Sequence, residues 1–266
     1  MARVLRLLPG PPEEMAAEDV YSGLTFPTSG VEGARPYVAI NMVSTLDGKA
    51  AVGGKASPIG SAVDRQIMRN IRAAFDAVVV GAGTVRTEEM NLSVTDELAE
   101  RRKSAARPGQ PLGVVLAGAG ELPLGRKVFR RQGQQTVVVI SGGATPEKTL
   151  AEAEEAGVRV LRTETPSLPK PHDVLAVLRD RLGVRNVLLE GGPGVNGSFL
   201  SSGVVDELFL TLSPKIAMPR GAFAIAEART AGHSRAMDFH PISVHCATEE
   251  GELYLRYQKR PRSPRA

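Results

Sequence analysis

The chain has one cysteine, Cys246, and no tryptophan. A single thiol can neither close an internal disulfide nor build a cysteine-based metal cluster. The four histidines, His172, His233, His240 and His245, stand at no metal-ligand spacing. Structural or exposed roles are therefore expected for them, and no metal centre. No apolar run approaches the ~18 residues of a membrane span. Val4-Leu5-Arg6-Leu7-Leu8 is too short and interrupted for a secretory signal. These absences predict a cytoplasmic protein without a membrane partner. A strong excess of one charge is lacking too. The 33 Lys and Arg barely exceed the 29 Asp and Glu, and four of those cations lie in the tail after residue 258. The near-neutral remainder argues against a basic nucleic-acid groove.

What is present is enough apolar sequence, 42% of 266 residues, for a sizeable core. Residues 1–35, rich in Pro, Gly and small side chains, read as an arm laid over the domain or a partner subunit. Residues 36–258 read as one domain, and 259–266 as a frayed basic tail. From Tyr37 onward, short Val- and Ile-rich runs alternate with helical segments. Strands are expected at Tyr37–Val43, Ala77–Val80, Leu112–Leu116, Thr136–Ile140, Val158–Leu161, Asn186–Leu189, Glu207–Leu212, Ile242–Cys246 and Leu253–Tyr257. Several lack polar alternation, as strands buried on both faces do. A helix opening at Ser61 repeats apolar residues at Val63, Ile67, Ile71 and Phe75, with Asp64 placed for an approximate capping box. Another opens at Thr145-Pro146-Glu147 and closes at Gly157. Helical segments are also expected at Asp96–Lys103 and Asn196–Ser202. The alternation implies an α/β fold with a mostly parallel central sheet flanked by helices. The short Glu249-Glu250-Gly251 turn adds an antiparallel C-terminal hairpin.

Ligands of such sheets gather at the carboxyl ends of the strands. Four of those ends carry small residues: Ser44-Thr45-Leu46-Asp47-Gly48-Lys49, Gly81-Ala82-Gly83-Thr84, Ser141-Gly142-Gly143 and Glu190-Gly191-Gly192-Pro193-Gly194. A glycine turn after a strand, followed by a helix N-terminus, suits a pyrophosphate. The turn comes late, and no acid follows Glu207–Leu212, so a standard Rossmann domain is not expected. Asp47 and Glu190 are the acids placed by sequence near a reacting centre. Each has a plainer reading as well: a turn residue bonding its own loop, and a cap on the glycine-turn amides. Arg65, Arg69 and Arg72 share one helix face, either as a solvated stripe or with Arg72 meeting a phosphate.

Four blocks occur in order: Asn41 with Ser44-Thr45-Leu46-Asp47-Gly48-Lys49, Asp76 through Thr84-Val85, Glu190-Gly191-Gly192-Pro193, and Val205-Asp206-Glu207-Leu208. They resemble the reductase domain of riboflavin biosynthesis, the C-terminal half of the bifunctional pyrimidine deaminase–reductase, over roughly residues 36–220. No zinc-deaminase motif is present. The whole chain looks like the stand-alone actinobacterial pyrimidine reductase-like proteins. The resemblance implies a dihydrofolate-reductase-like fold, a homodimer and NADPH as hydride donor, with reduction of a ribosylaminopyrimidine phosphate to its ribitylamino product. A dihydrofolate- or pterin-type reduction, and nucleotide binding without turnover, are the alternatives.

Carried over by residue, the resemblance puts the cofactor on Gly83, Thr84, Glu88 and Gly191, Gly192, Pro193, Gly194, Val195 and Asn196. Arg86, Ser141 and Gly142 are placed to receive a 2′-phosphate. The substrate would meet Asn41, Ser57, Arg72 and Leu92. Two departures stand out. Thr95 replaces the family's phosphate-binding Arg, so Arg72, helped by Arg101 or Arg102, is expected to take the phosphate. Asn41 replaces a bacterial Lys, as in the archaeal and fungal type that acts before deamination.

Overall fold

The computed structural model describes residues 2–27, 35–130, 135–218, 223–227 and 236–260. His233 and most of the basic tail lie outside them. The expected strands form, and their neighbours sort into one sheet. In chain order these are β1 (Arg3–Leu8), β2 (Glu13–Ala16), β3 (Tyr37–Thr45), β4 (Ala77–Gly81), β5 (Leu112–Leu116), β6 (Val137–Ser141), β7 (Arg159–Arg162), β8 (Asn186–Leu189), β9 (Glu207–Ser213), β10 (Phe239–Ala247) and β11 (Glu252–Lys259). Across the sheet the order is β2-β1-β10-β11-β9-β3-β8-β4-β5-β6-β7. Every pairing from β9 through β7 is parallel. The pairings from β9 out to β2 are antiparallel, and β10–β11 is the expected hairpin.

The helices are α1 (Ala62–Ala74), α2 (Ala82–Thr87), α3 (Asp96–Ser104), α4 (Glu147–Glu155), α5 (Pro171–Leu182) and α6 (Pro193–Ser201). They cover both faces of the sheet, which is why its central strands lack polar alternation. On one face α1 and α4 bury Ile67, Ile71, Phe75 and Leu150. On the other, α5 and α6 bury Leu175, Leu178 and Phe199.

The segment expected to be an arm is part of this sheet. β1 pairs with β10, and Val4 and Val20 are buried in the main core beside Tyr21. The Tyr21 ring meets Phe209 of β9 edge-on, with centroids 5.2 Å apart. Lys259 closes β11 instead of fraying, its ammonium donating to the Gly203 carbonyl.

Three helix starts differ from expectation. Ser61 caps α1, accepting from Val63 and Asp64, but Asp64 does not complete a box. Ser61 instead donates its own N–H and hydroxyl to Glu252 of β11, at 2.8 and 2.6 Å. Pro146 is the N-cap of α4, one position before the expected N1. Helix α6 starts at Pro193, three residues early, because proline's fixed φ suits a first helical turn.

Candidate active site

The carboxyl ends of β3, β4, β5 and β8 open onto one cleft of about 1140 Å³. Its floor is set by two glycine turns that touch. Gly81 donates to the Gly191 carbonyl at 2.9 Å, and Glu190 donates its N–H to Val79 at 2.9 Å. A Cβ on Gly192 would lie 2.6 Å from the Thr84 hydroxyl, and one on Gly81 would lie 2.9 Å from Val195. Neither Gly81 nor Gly192 takes a side chain without moving the opposite turn. Gly83 and Gly194, by contrast, face open space. Helix α6 begins immediately behind, with Val195 and Asn196 closing its first turn by donating to Gly192 O at 2.9 and 3.0 Å. Gly191 has φ 93°, the left-handed region where glycine is favoured, and the Gly191–Gly192 peptide is cis. This open cradle backed by a helix N-terminus fits a dinucleotide's phosphates.

Beside the cradle, Glu190 and Arg72 form a buried two-pronged ion pair. Arg72 Nε and Nη2 reach the two carboxylate oxygens at 2.7 and 2.6 Å, and the side chains are only 4% and 6% exposed. Arg72 Nη1 also donates to Ser93 O at 3.1 Å. Both residues line the cleft, but the guanidinium expected to seize a phosphate is already committed to Glu190. Its expected helpers are committed as well. Arg101 pairs with Glu97 on the exposed face of α3. Arg102 is buried and donates to Ala73, Phe75 and Pro108 carbonyls, closing the C-terminal end of α1. Thr95, at the position of the missing Arg, is the N-cap of α3, its hydroxyl accepting from Leu98.

Asp47 lies outside the cleft lining. Its carboxylate accepts from Thr45 Oγ1 at 2.6 Å and from the Ala217 and Met218 amides at 3.1 and 2.9 Å. Those donors hold it down at about 2, the Thr45 hydroxyl first. It therefore staples its loop to residues 217–218 and stays ionised. Leu92 is fully buried in the core away from the cleft. Asn196 is also fully buried, and its amide donates to Ile225 O at 2.8 Å, anchoring residues 223–227 over α6. Ser141 is buried, and a Cβ on Gly142 would lie 2.2 Å from Ser167 O. The Ser141-Gly142-Gly143 loop thus receives the 165–169 loop instead of a ligand, and Leu168 and Pro169 of that loop reach the cleft in its place.

The other expected residues do line the cleft: Asn41, Ser57, Gly83, Thr84, Arg86, Glu88 and the Gly191–Val195 turn. Glu88 accepts from the Ala56 N–H, which holds the loop carrying Ser57. Arg86 donates to Glu121 O at 2.7 Å.

Two cleft residues had no functional signal in the sequence. Asp64, half-buried on the first turn of α1, has its carboxyl pushed up to about 6 by burial, then by Glu252 and Glu190, against a hydrogen bond with Thr211 and the Arg65 charge. Arg69 lies one turn before Arg72 on the same helix. A capping pattern disguised the first, and the stripe of three arginines did not say which member was free.

Residues 36–217 match the family described as the RibD C-terminal domain. The chain belongs to that family. It is 32% identical, over 193 residues, to a 2,5-diamino-6-ribosylamino-4(3H)-pyrimidinone 5′-phosphate reductase of Methanothermobacter thermautotrophicus, covering 73% of this chain and 84% of that one. It is 31% identical to the riboflavin biosynthesis protein RibD of Aquifex aeolicus over 68% of this chain but 47% of that protein. Among solved structures, a pyrimidine reductase-like protein from Corynebacterium diphtheriae shares the fold, with TM-score 0.78, 22% identity, and coverage of 93% of this chain and all of that one. Among the described residues no helix is long and apolar enough to cross a membrane, and no cluster of metal-ligating side chains is present.

Proposed function

We propose that this protein is an NADPH-dependent reductase of a ribosylaminopyrimidine 5′-phosphate, yielding the ribitylamino product in riboflavin biosynthesis. The observation that carries this is the pair of touching glycine turns, Gly81–Thr84 and Gly191–Val195, set against the buried Arg72–Glu190 pair at one end of the cleft. The two archaeal relatives at 32% identity, both named as the diamino-pyrimidinone phosphate reductase, support the substrate that has not yet been deaminated. Asn41 on the cleft wall supports the same choice.

The Gly83–Thr84 and Gly191–Val195 backbones and the α6 N-terminus would hold the cofactor's phosphates, with Arg86 at hand for a 2′-phosphate. When bound, the cofactor supplies a hydride. The remaining chemistry belongs to the chain. Opening the sugar breaks the C1′–O4′ bond and moves the ribosylamine N–H proton to O4′, leaving a C1′=N imine. Hydride added to C1′ and one proton added to nitrogen complete the amine. The Glu190 carboxylate, fixed by Arg72, orients the reacting end and stabilises positive charge as the imine is protonated. Glu190 is committed to its ion pair with Arg72, and Asp47 stays ionised outside the cleft lining. Asp64, which lines the same cleft, feels the Glu190 charge and holds a proton up to about pH 6, is the proton reservoir for that step.

The protein works as a cytoplasmic homodimer. An exposed apolar patch beside the Asp47 loop supports self-association: Leu46, Ile216, Met218 and Phe223, tied together by the bonds from Leu46 to Lys215 and from Ala50 to Phe223.

The test follows near-ultraviolet absorbance of NADPH with the deaminated and non-deaminated ribosylaminopyrimidine phosphates, and with a dihydropterin. Oxidation is expected with a pyrimidine, faster with the non-deaminated one, and slower when NADH replaces NADPH. Turnover of the dihydropterin alone would move the assignment to the pterin-type alternative. Cofactor binding without oxidation of any of the three would favour the binding-only reading.

A further inference from the structure

The cleft holds a cation that nothing among the described residues uses. Arg69 is half-buried on the cleft wall and has no hydrogen-bond or ion-pair partner among the described residues. Arg65, one turn earlier on the same face and also lining the cleft, has only the Gly60 carbonyl, at 3.3 Å. Like charges this close repel. Burial, then Arg72, then Arg65 hold the Arg69 guanidinium below its usual range, the direction expected of a cation waiting for an anion. The Arg72 guanidinium one turn away is already paired with Glu190. Asp64, the acid of the same helix that lines the cleft, is hydrogen-bonded to Thr211.

We infer that Arg69, assisted by Arg65, binds the substrate's 5′-phosphate, replacing the arginine that the chain lacks at Thr95. This rests on the pyrimidine-reductase reading above and names a site within it. The geometry is that of a line along α1. Glu190 and Gly191 mark the reacting end beside Arg72. Arg69 lies ~4.5 Å along the helix axis toward its N-terminus, and Arg65 ~6 Å beyond it. A pentose chain with C1′ at Glu190 carries its phosphate away from the cofactor turns and along that line. A guanidinium fork suits a phosphate dianion better than an ammonium does.

A phosphate in this cleft could belong to the substrate or to the cofactor, so the test titrates both. Wild type, Arg69→Gln, Arg69→Lys and Arg65→Gln are titrated calorimetrically with the ribitylaminopyrimidine product, phosphorylated and dephosphorylated, and separately with NADP⁺. Wild type should prefer the phosphorylated product by roughly 10- to 150-fold, the range for a charge-assisted contact. Arg69→Gln should lose most of that preference while binding the dephosphorylated product and NADP⁺ as before. Arg69→Lys should recover part of it, and Arg65→Gln should lose a smaller share. Phosphate preference intact in Arg69→Gln overturns the inference and leaves the reductase reading standing. Weakened NADP⁺ binding in that variant assigns the cation to the cofactor and also overturns it. If wild type binds neither product, the reductase reading fails and the inference fails with it. Thermal melts of each variant separate these outcomes from misfolding.

Discussion

Asp64 sits where burial and two other carboxylates, Glu252 and Glu190, keep its own carboxyl protonated up to about pH 6, with the Arg65, Arg69 and Arg72 cations and the Tyr254 hydroxyl as further polar neighbours along the helix and behind it. Its folded value is raised above the ordinary 3.8, so its contribution to stability is complete below about pH 4 and is lost as pH rises through about 6. Asp64→Asn should therefore be more stable than wild type at pH 7 to 8, with the difference vanishing toward pH 4. The same change removes a proton donor. Turnover should fall by roughly 10²–10⁴-fold, the range for general acid–base catalysis, and lose any limb near pH 6. Melts and rates on one preparation check both signs. Unchanged turnover would take the proton role away from Asp64. At this scale the sequence was partly readable. Glu190 and the glycines could be found because a strand end followed by glycines has a physical meaning in any parallel sheet. Asp64 could not, since its raised value comes from burial in the folded chain and then from Glu252 and Glu190, more than a hundred residues away. Asp47 misled for the opposite reason: its loop looks catalytic, but the amides that claim its carboxylate belong to residues 217–218.

Strand positions were legible because Val-rich runs buried on both faces have few other uses, and β5 and β8 match their expected bounds residue for residue. β1 and β2 were not. They carry the Arg6–Glu13 and Arg3–Glu14 pairs, charges that protect β2 as the sheet edge and mask an apolar pattern. The glycine loops show the same limit. Gly142-Gly143 and Gly191-Gly192 look alike in sequence, yet the first receives the 165–169 loop and the second meets the Gly81–Thr84 turn. The Cβ of an alanine at 142 would lie 2.2 Å from the Ser167 carbonyl and 3.1 Å from Pro169 N, both backbone atoms. Gly142→Ala should therefore push the 165–169 loop outward, shift Leu168 and Pro169 on the cleft wall, and lower the melting temperature. Cofactor affinity should fall several-fold, by about 1 kcal/mol. Gly83→Ala, at a position with open space, is the matched control for stability. Equal melting temperatures for the two variants would contradict the packing assigned to the 142–143 turn.

At the scale of the whole molecule, the parallel half of the sheet carries the cradle and the antiparallel half carries the support beneath α1. The link between the halves is physical. Glu252 on β11 holds Ser61 at the start of α1 and also accepts from Tyr254 at 2.7 Å. The helix that presents Asp64, Arg69 and Arg72 is thus moored to the antiparallel side. That side is completed by the N-terminal segment, through β1 on β10 and through Val20 and Tyr21 in the core. Tyr21 also packs edge-on against His245 and hydrogen-bonds Ser243, both on β10. Burying each of Val4, Val20 and Tyr21 is worth about 1.5–3 kcal/mol, which together rivals a large part of an ordinary domain's 5–15 kcal/mol. Removing residues 1–27 should consequently do far more than trim a loose end. The β10 edge would be bared for pairing with other chains, and Phe209 and His245 would lose their covering ring. The truncated protein should melt well below the full chain and aggregate at concentrations where the full chain stays dispersed, as followed by calorimetry and light scattering. A truncated form with the full chain's melting temperature and a monodisperse profile would mean that the first two strands lie on a finished domain, not within it.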